Sequence, residues 1–143
     1  MLMNDYKALF NLWLEKTKDD PEIQSELLSI KDNEEEILDR FYKNLEFGTA
    51  GLRGVLGAGT NRMNTYTVCR ATQGLADYLN SKGGGASVAI GYDSRINSDV
   101  FSAQCAEVLA ANGIKVYLFP RLMPTPMLSY AVIRLKCDSG IVI

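Results

Sequence analysis

Two short runs of this sequence set chemistry-bearing side chains among glycines. The first is Phe47-Gly48-Thr49-Ala50-Gly51-Leu52-Arg53-Gly54. Glycines around a hydroxyl and an arginine let backbone N–H groups approach an anion closely, and a guanidinium fork matches phosphate oxygens. Thr49, Gly51, Arg53 and Gly54 are the candidate binding residues. The same run also reads as a Gly-rich hairpin whose Arg53 pairs with a surface carboxylate, and on the residues alone the two readings stand level. The second run is Gly91-Tyr92-Asp93-Ser94-Arg95. Here Arg95 either points at an anion or orders a neighbouring loop, and a plain turn with Asp93 bonded to backbone explains the run at least as well. Met123-Pro124-Thr125-Pro126 reads first as a helix start.

What is missing narrows the chemistry. The 143 residues contain no histidine. A Ser-His-Asp triad, a Cys-His pair and a His-ligated metal are therefore excluded within the chain. Carboxylates, hydroxyls, Lys, Arg, backbone dipoles or a metal held by oxygens must do the work. Cys69, Cys105 and Cys137 form no Cys-x-x-Cys pair and read as reduced, mostly buried thiols. No glycine precedes the Lys-Ser/Thr pair of a Walker A loop, and Gly57-Ala58-Gly59 is followed by Arg62 where a dinucleotide fingerprint needs its third glycine. A net charge of −2 argues against a broad nucleic-acid footprint. No apolar run is long enough to cross a bilayer, and the first residues lack a secretory pattern. A cytoplasmic protein is the simplest expectation.

The elements that must position these runs follow from periodicity. Residues 5–44 read as a helical arm. Tyr6, Leu9, Phe10, Trp13 and Leu14 form one apolar stripe. Asp20 followed by Pro21 predicts an N-cap and a proline at the first helical position, opening a short helix to about Ile30. Asn33 opens another, with Glu36 reaching back as in a capping box, and Ile37, Leu38, Phe41 and Tyr42 as its apolar side. A short strand is expected over 45–47, then a backbone-shaped loop or irregular hairpin over 48–60. A helix over 66–80 buries Val68, Ala71, Thr72, Leu75 and Leu79 and stops at Gly83, Gly84 and Gly85. Strand 87–92, a helix capped by Ser98 and closed by Gly113, strand 114–119, a helix capped by Thr125 with Pro126 at its first position, and a strand from Gly140 complete the chain. This alternation implies a mainly parallel (mixed) sheet in a three-layer α/β/α domain with an N-terminal helical arm. The boundaries expected are 1–44 for the arm and 45–143 for the domain. Ligands of such sheets bind at the carboxyl ends of the strands. Loops 93–95 and 120–124 should meet there, with a third following Ile143.

In order and spacing, these runs resemble the α-D-phosphohexomutases, the phosphoglucomutases and phosphomannomutases. Residues 47–54 are similar to the family's first signature, and 91–95 to its next strand-end element. Residues 123–126 followed by Gly140-Ile141-Val142-Ile143 resemble the run leading into its catalytic loop. The helical arm and Thr60-Asn61-Arg62-Met63-Asn64 are similar to a branch that contains bacterial phosphoglucomutases and phosphopentomutase-like enzymes. The resemblance implies the first of four domains around one cleft. The implied reaction interconverts hexose 1- and 6-phosphates through a phosphoserine and a sugar bisphosphate, assisted by Mg²⁺. It assigns Thr49 and Arg53 to the phosphorylated serine or the bound sugar phosphate, with Arg95 organising the same corner. The serine loop would start after Ile143, so no catalytic residue and no metal ligand is expected here; Ser94 and Ser139 do not match the motif. The parent is expected to be a mutase whose other domains are this chain's partners, with neither nucleic acid nor membrane involved. The 143 residues alone are expected to be inactive. A stand-alone sugar-phosphate-binding module and a domain that self-associates through its former interdomain surface are the alternatives.

Overall fold

The computed structural model describes residues 5–49 and 51–143. Residues 1–4 of the expected arm and Ala50 of the Gly-rich run lie outside the described residues. The chain divides into two compact units, Met1–Thr67 and Val68–Ile143.

The first unit opens with three helices, α1 (Asp5–Lys16), α2 (Pro21–Ser29) and α3 (Glu34–Phe41). Two of their start signals form as the sequence implies. Asp20 accepts from the Ile23 N–H, and Asn33 from the Glu36 N–H, satisfying donors the first helical turn leaves over. The reciprocal half of the capping box does not form. Glu36 accepts instead from Arg40 Nε at 3.0 Å, one turn along, and the Asn33 N–H goes to the Ile30 carbonyl. Phe10, Ile23, Leu27, Ile30, Ile37, Phe41 and Ala58 make the core, with Tyr6, Leu9, Trp13 and Leu14 packed against it. Phe41 meets the edges of both Phe10 and Trp13 at 5.7 Å. Leu38 and Tyr42, expected inside, are exposed: α3 is short and presents only the Ile37–Phe41 line to α1. After α3 comes a minimal antiparallel hairpin, β1 (Phe47–Gly48) and β2 (Gly51–Leu52), then an irregular loop that leads into α4 (Thr65–Asn80).

The second unit carries β3 (Ser87–Gly91), α5 (Ser98–Ala111), β4 (Lys115–Leu118), α6 (Thr125–Leu135) and β5 (Ser139–Val142). The strands form a wholly parallel sheet in the order β4-β3-β5. Val88, Ala89 and Ile90 are buried on the central strand, as a strand covered on both faces requires. The chain steps from β3 to β4 in one direction and from β4 to β5 in the other. Right-handed crossovers in opposite senses place α5 and α6 on opposite faces, the three-layer α/β/α arrangement.

Two helix starts differ from expectation by one residue. Ser98 is the first residue of α5 rather than its cap. Asn97 takes that place in the left-handed conformation at φ 64°, and the buried Ser98 hydroxyl turns back to Asp93. Likewise Pro124 precedes α6 and Thr125 lies inside it, without a side-chain cap.

Candidate functional site

The Gly-rich run is an exposed hairpin. Phe47 faces Leu52 and Gly48 faces Gly51 across it. Gly51 sits at φ +103°, a conformation that side chains rarely adopt. Thr49 lies at the turn and Arg53 directly after β2, both exposed. Gly54 rests on Leu45, whose Cδ1 would lie 2.8 Å from any added Cβ. The discriminating observation concerns Arg53. Among the described residues it makes no ion pair and no hydrogen bond. The surface-carboxylate reading of this run therefore fails, and a guanidinium stands free beside the turn. Thr49, Gly51, Arg53 and Gly54 are together in the first unit.

The loop that follows is held by the helical arm. Arg40, only 14% exposed at its side chain, pairs with Glu26 through Nη1 and with Glu36 through Nε, and donates to the Ala58 carbonyl at 3.2 Å. The second Glu26 oxygen accepts from the Ala58 N–H at 2.8 Å. Burial alone would lower the Arg40 pKa; the hydrogen bonds it donates to the Glu26 and Glu36 carboxylates outweigh this and hold the guanidinium above its ordinary value. Arg62 pairs with Asp39. Asn64, buried, donates to the carbonyls of Gly57 at 2.8 Å and Gly59 at 3.0 Å. It also accepts from the Thr67 N–H at 2.9 Å, while the Thr67 hydroxyl accepts from the Asn64 N–H at 3.1 Å. That reciprocal pair starts α4. Glu26 and Arg40 were not singled out from sequence, and Asn64 was named only within the run 60–64, with no role of its own. Asn64-x-x-Thr67 before a helix is a capping pattern that could have been read. The Glu26–Arg40–Ala58 contacts span long sequence separations and leave no local signal.

In the second unit the strand-end loops do meet. The parallel ladder runs on to Ile143, whose N–H donates to the Gly91 carbonyl and whose carbonyl accepts from the Asp93 N–H at 2.9 Å. The Met123 N–H donates to the Tyr92 carbonyl at 2.9 Å, joining loop 120–124 to loop 93–95. Asp93 Oδ1 accepts from the Arg95 N–H at 2.9 Å and from the Ser98 hydroxyl at 3.2 Å. Asp93 Oδ2 lies 3.2 Å from Arg95 Nε. Arg95 is thus tied to its own turn by one edge, while the rest of its largely exposed guanidinium has no partner among the described residues. A shallow depression opens here, lined by Tyr92, Ser94, Arg95, Asp99 and Arg121 among others. Arg121 is a second cation at this edge that the sequence reading did not name.

Cys105 is buried, with Thr72 Oγ1 at 3.1 Å from its Sγ, and burial pushes its pKa up; Cys69 is raised for the same reason and by the nearby Glu107. Neither is an activated thiol. Among the described residues no three Asp, Glu or Cys side chains converge as metal ligands, and no helix is long and apolar enough to cross a membrane.

The family model for phosphoglucomutase/phosphomannomutase, alpha/beta/alpha domain I, matches residues 44–143. The chain belongs to this family. A phosphoglucomutase of Staphylococcus haemolyticus is 44% identical over 103 residues, 72% of this chain and 19% of that protein. A phosphopentomutase of Pongo abelii is 38% identical over 120 residues, 78% of this chain and 20% of its own length. A probable phosphomannomutase of Haemophilus influenzae is 44% identical over 81 residues, 57% of this chain and 17% of its own. The chain thus spans about a fifth of the length of these phosphohexomutase relatives. No match was found among solved structures.

Proposed function

We propose that this chain is the first domain of a phosphohexomutase that interconverts hexose 1- and 6-phosphates through a phosphoserine and a sugar bisphosphate. In this reading residues 1–44 are an arm preceding a domain over 45–143. Arg53 places its guanidinium fork against phosphate oxygens, either of the phosphorylated serine or of the bound sugar phosphate. Its fixed positive charge neutralises the oxygens while the phosphoryl group is in transit. Thr49 supplies a hydroxyl donor to the same group. Gly51 and Gly54 keep the backbone free of side chains where the anion approaches. Arg95, braced by Asp93, orders the strand-end corner.

The observation that carries the reading is the free Arg53 guanidinium beside a glycine turn in a chain of this family. Buried or paired arginines elsewhere in the unit hold structure; this one is left for a ligand. Mg²⁺ supplies charge neutralisation in the family chemistry. The described residues offer it no converging ligand set, and no step is routed through it. In this proposal its ligands, the nucleophilic serine and the sugar-selecting elements come from the rest of a cytoplasmic parent chain. The 143 residues alone are then inactive.

A coupled assay tests this. The 143-residue chain with glucose 1-phosphate, hexose bisphosphate and Mg²⁺ should give no turnover above blank. A longer parent polypeptide should turn over, and Arg53→Ala in it should lower kcat/KM by about 10²-fold or more, the scale of losing one charge-stabilising donor. Robust turnover by the 143 residues alone, or an Arg53→Ala parent with unchanged kcat/KM, overturns the proposal.

A further inference from the structure

The anion hairpin is too small to hold its own shape. It has two residues per strand, and isolated hairpins are marginal even when longer. Something else must fix where Arg53 stands, and the structure offers one candidate. We propose that Glu26 and Arg40 are positioning residues, which act through the backbone of the Gly-rich loop to set the place of Arg53. This rests on the sugar-phosphate reading of the hairpin.

The Glu26 carboxylate divides its two oxygens. One pairs with Arg40 Nη1; the other accepts from the Ala58 N–H at 2.8 Å. Arg40 completes a ring by donating to the Ala58 carbonyl at 3.2 Å. One residue of the loop, Ala58, is thus gripped through both its N–H and its carbonyl by charged groups from two different helices. Hydrogen bonds carry the grip back toward the hairpin. The Gly57 N–H donates to the Met63 carbonyl at 3.1 Å, and the Met63 N–H donates to the Val55 carbonyl at 2.8 Å. Val55 follows Arg53 by two residues. On the other side the Arg40 carbonyl accepts from the Asn61 N–H at 2.9 Å, and the Leu45 N–H donates to the Thr60 carbonyl at 2.8 Å. Leu45 is the residue on which Gly54 rests.

The fit is close enough to dictate sequence. An added Cβ at Gly59 would lie 2.7 Å from the Arg40 carbonyl oxygen, and one at Gly57 would lie 2.5 Å from Glu26 Oε1. Both glycines let the loop backbone lie against this pair. The pair also costs more to break than a surface bridge. Removing one partner strands a charge that is largely out of water. Arg40 has a second acceptor in Glu36 at 3.0 Å, so the weaker point of the clamp is Glu26.

Amide hydrogen exchange on the 143-residue chain reads the clamp directly, with Glu26→Gln and Arg40→Lys as near-isosteric variants. Glu26→Gln keeps the side-chain size but offers only one oxygen acceptor where two are used. The protected amides of Gly57, Ala58 and Met63 should exchange about tenfold faster, the factor that about 1.4 kcal/mol represents. Leu27 and Phe41, inside α2 and α3, should keep their rates. The Ala58 amide proton should move upfield as its charged acceptor is lost. Hexose 1,6-bisphosphate should require about tenfold more ligand to shift Gly51 and Gly54 in the variant, the same factor.

Loop and arm amides accelerating together would mean that Glu26 serves only global stability, which overturns the proposal. So would unchanged loop protection, or a loosened loop with unchanged bisphosphate affinity. A wild-type chain that ignores the bisphosphate overturns the sugar-phosphate reading, and with it the purpose assigned to the clamp; the exchange rates, taken without ligand, still report whether the clamp exists. Arg40→Lys is the second arm, since a point charge cannot span Glu26, Glu36 and the Ala58 carbonyl as the guanidinium does. It should loosen the same amides, and full loop protection in it counts against the role of Arg40.

Discussion

Replacing Asn64 by alanine isolates the side chain that ties the Gly-rich loop to the start of α4. Asn64 is 5% exposed. Its amide donates to the Gly57 and Gly59 carbonyls and its oxygen accepts from the Thr67 N–H. Alanine leaves two carbonyls and one N–H without that partner. Gly57 is half-buried, so its carbonyl can reach water; Gly59 and Thr67 are buried and cannot easily do so. A buried group left unsatisfied costs about 1–3 kcal/mol. Two such groups, with the lost helix cap counted in the Thr67 term, give a destabilisation of about 2–6 kcal/mol. The single tryptophan makes the assay clean. Trp13 packs against Phe41 and Tyr66 in the same unit, so its fluorescence in a urea titration follows this unit. Asn64→Asp sharpens the test. It keeps the acceptor for Thr67 but aims a carboxylate at two carbonyl oxygens, and should cost at least as much as alanine. A loss below about 1 kcal/mol for alanine, the net worth of one ordinary hydrogen bond, would refute the view that this side chain organises the loop. So would an aspartate variant of wild-type stability.

Three other outcomes are expected. Gly59→Ala should lower the urea midpoint by an amount equivalent to at least about 1–3 kcal/mol, because φ is +130° and the new Cβ would lie 2.7 Å from a backbone oxygen; a neutral substitution would mean that the loop is not pressed against Arg40. Hydrogen bonds from Lys7 and Tyr6 hold Glu34 below its ordinary pKa. Its contribution is therefore complete above the unfolded value of about 4.3 and is lost as pH falls through the lower folded value. The stability gap between wild type and Glu34→Gln should shrink across that acidic window, and a gap independent of pH would contradict it. Cys105 should react with a thiol reagent far more slowly than a free cysteine at neutral pH, since burial raises its pKa; labelling at the free-thiol rate in the folded chain would show that the α5 core opens.

The parts legible in the sequence were those set by local rules. The α1 stripe, the Asp20 and Asn33 caps, the alternation of strand and helix, and the loops that meet at the sheet's carboxyl edge all follow from spacing and cap chemistry. Errors arose where two local solutions compete. Asn97 tolerates the left-handed conformation, which frees Ser98 to bond Asp93 instead of capping. Glu36 had a choice between the Asn33 N–H and an arginine one turn ahead, and the charged partner won. At the candidate site the residue types of the hairpin were readable but the state of Arg53 was not. Whether an arginine is paired depends on carboxylates brought near by tertiary structure. Neither the Glu26–Arg40 clamp nor Arg121 at the sheet edge could be read from local pattern, because nothing in their immediate neighbours distinguishes them from solvated surface charges.

The central claim is that the hairpin around Thr49 and Arg53 receives a sugar phosphate. The most direct measurement is a two-dimensional NMR titration of the chain with a hexose 1,6-bisphosphate, run beside Arg53→Ala. Saturable shifts confined to Gly48, Thr49, Gly51, Arg53 and Gly54 in the wild type and absent in the variant are the expected result. No shift in the wild type, or the same shifts in Arg53→Ala, would contradict the account.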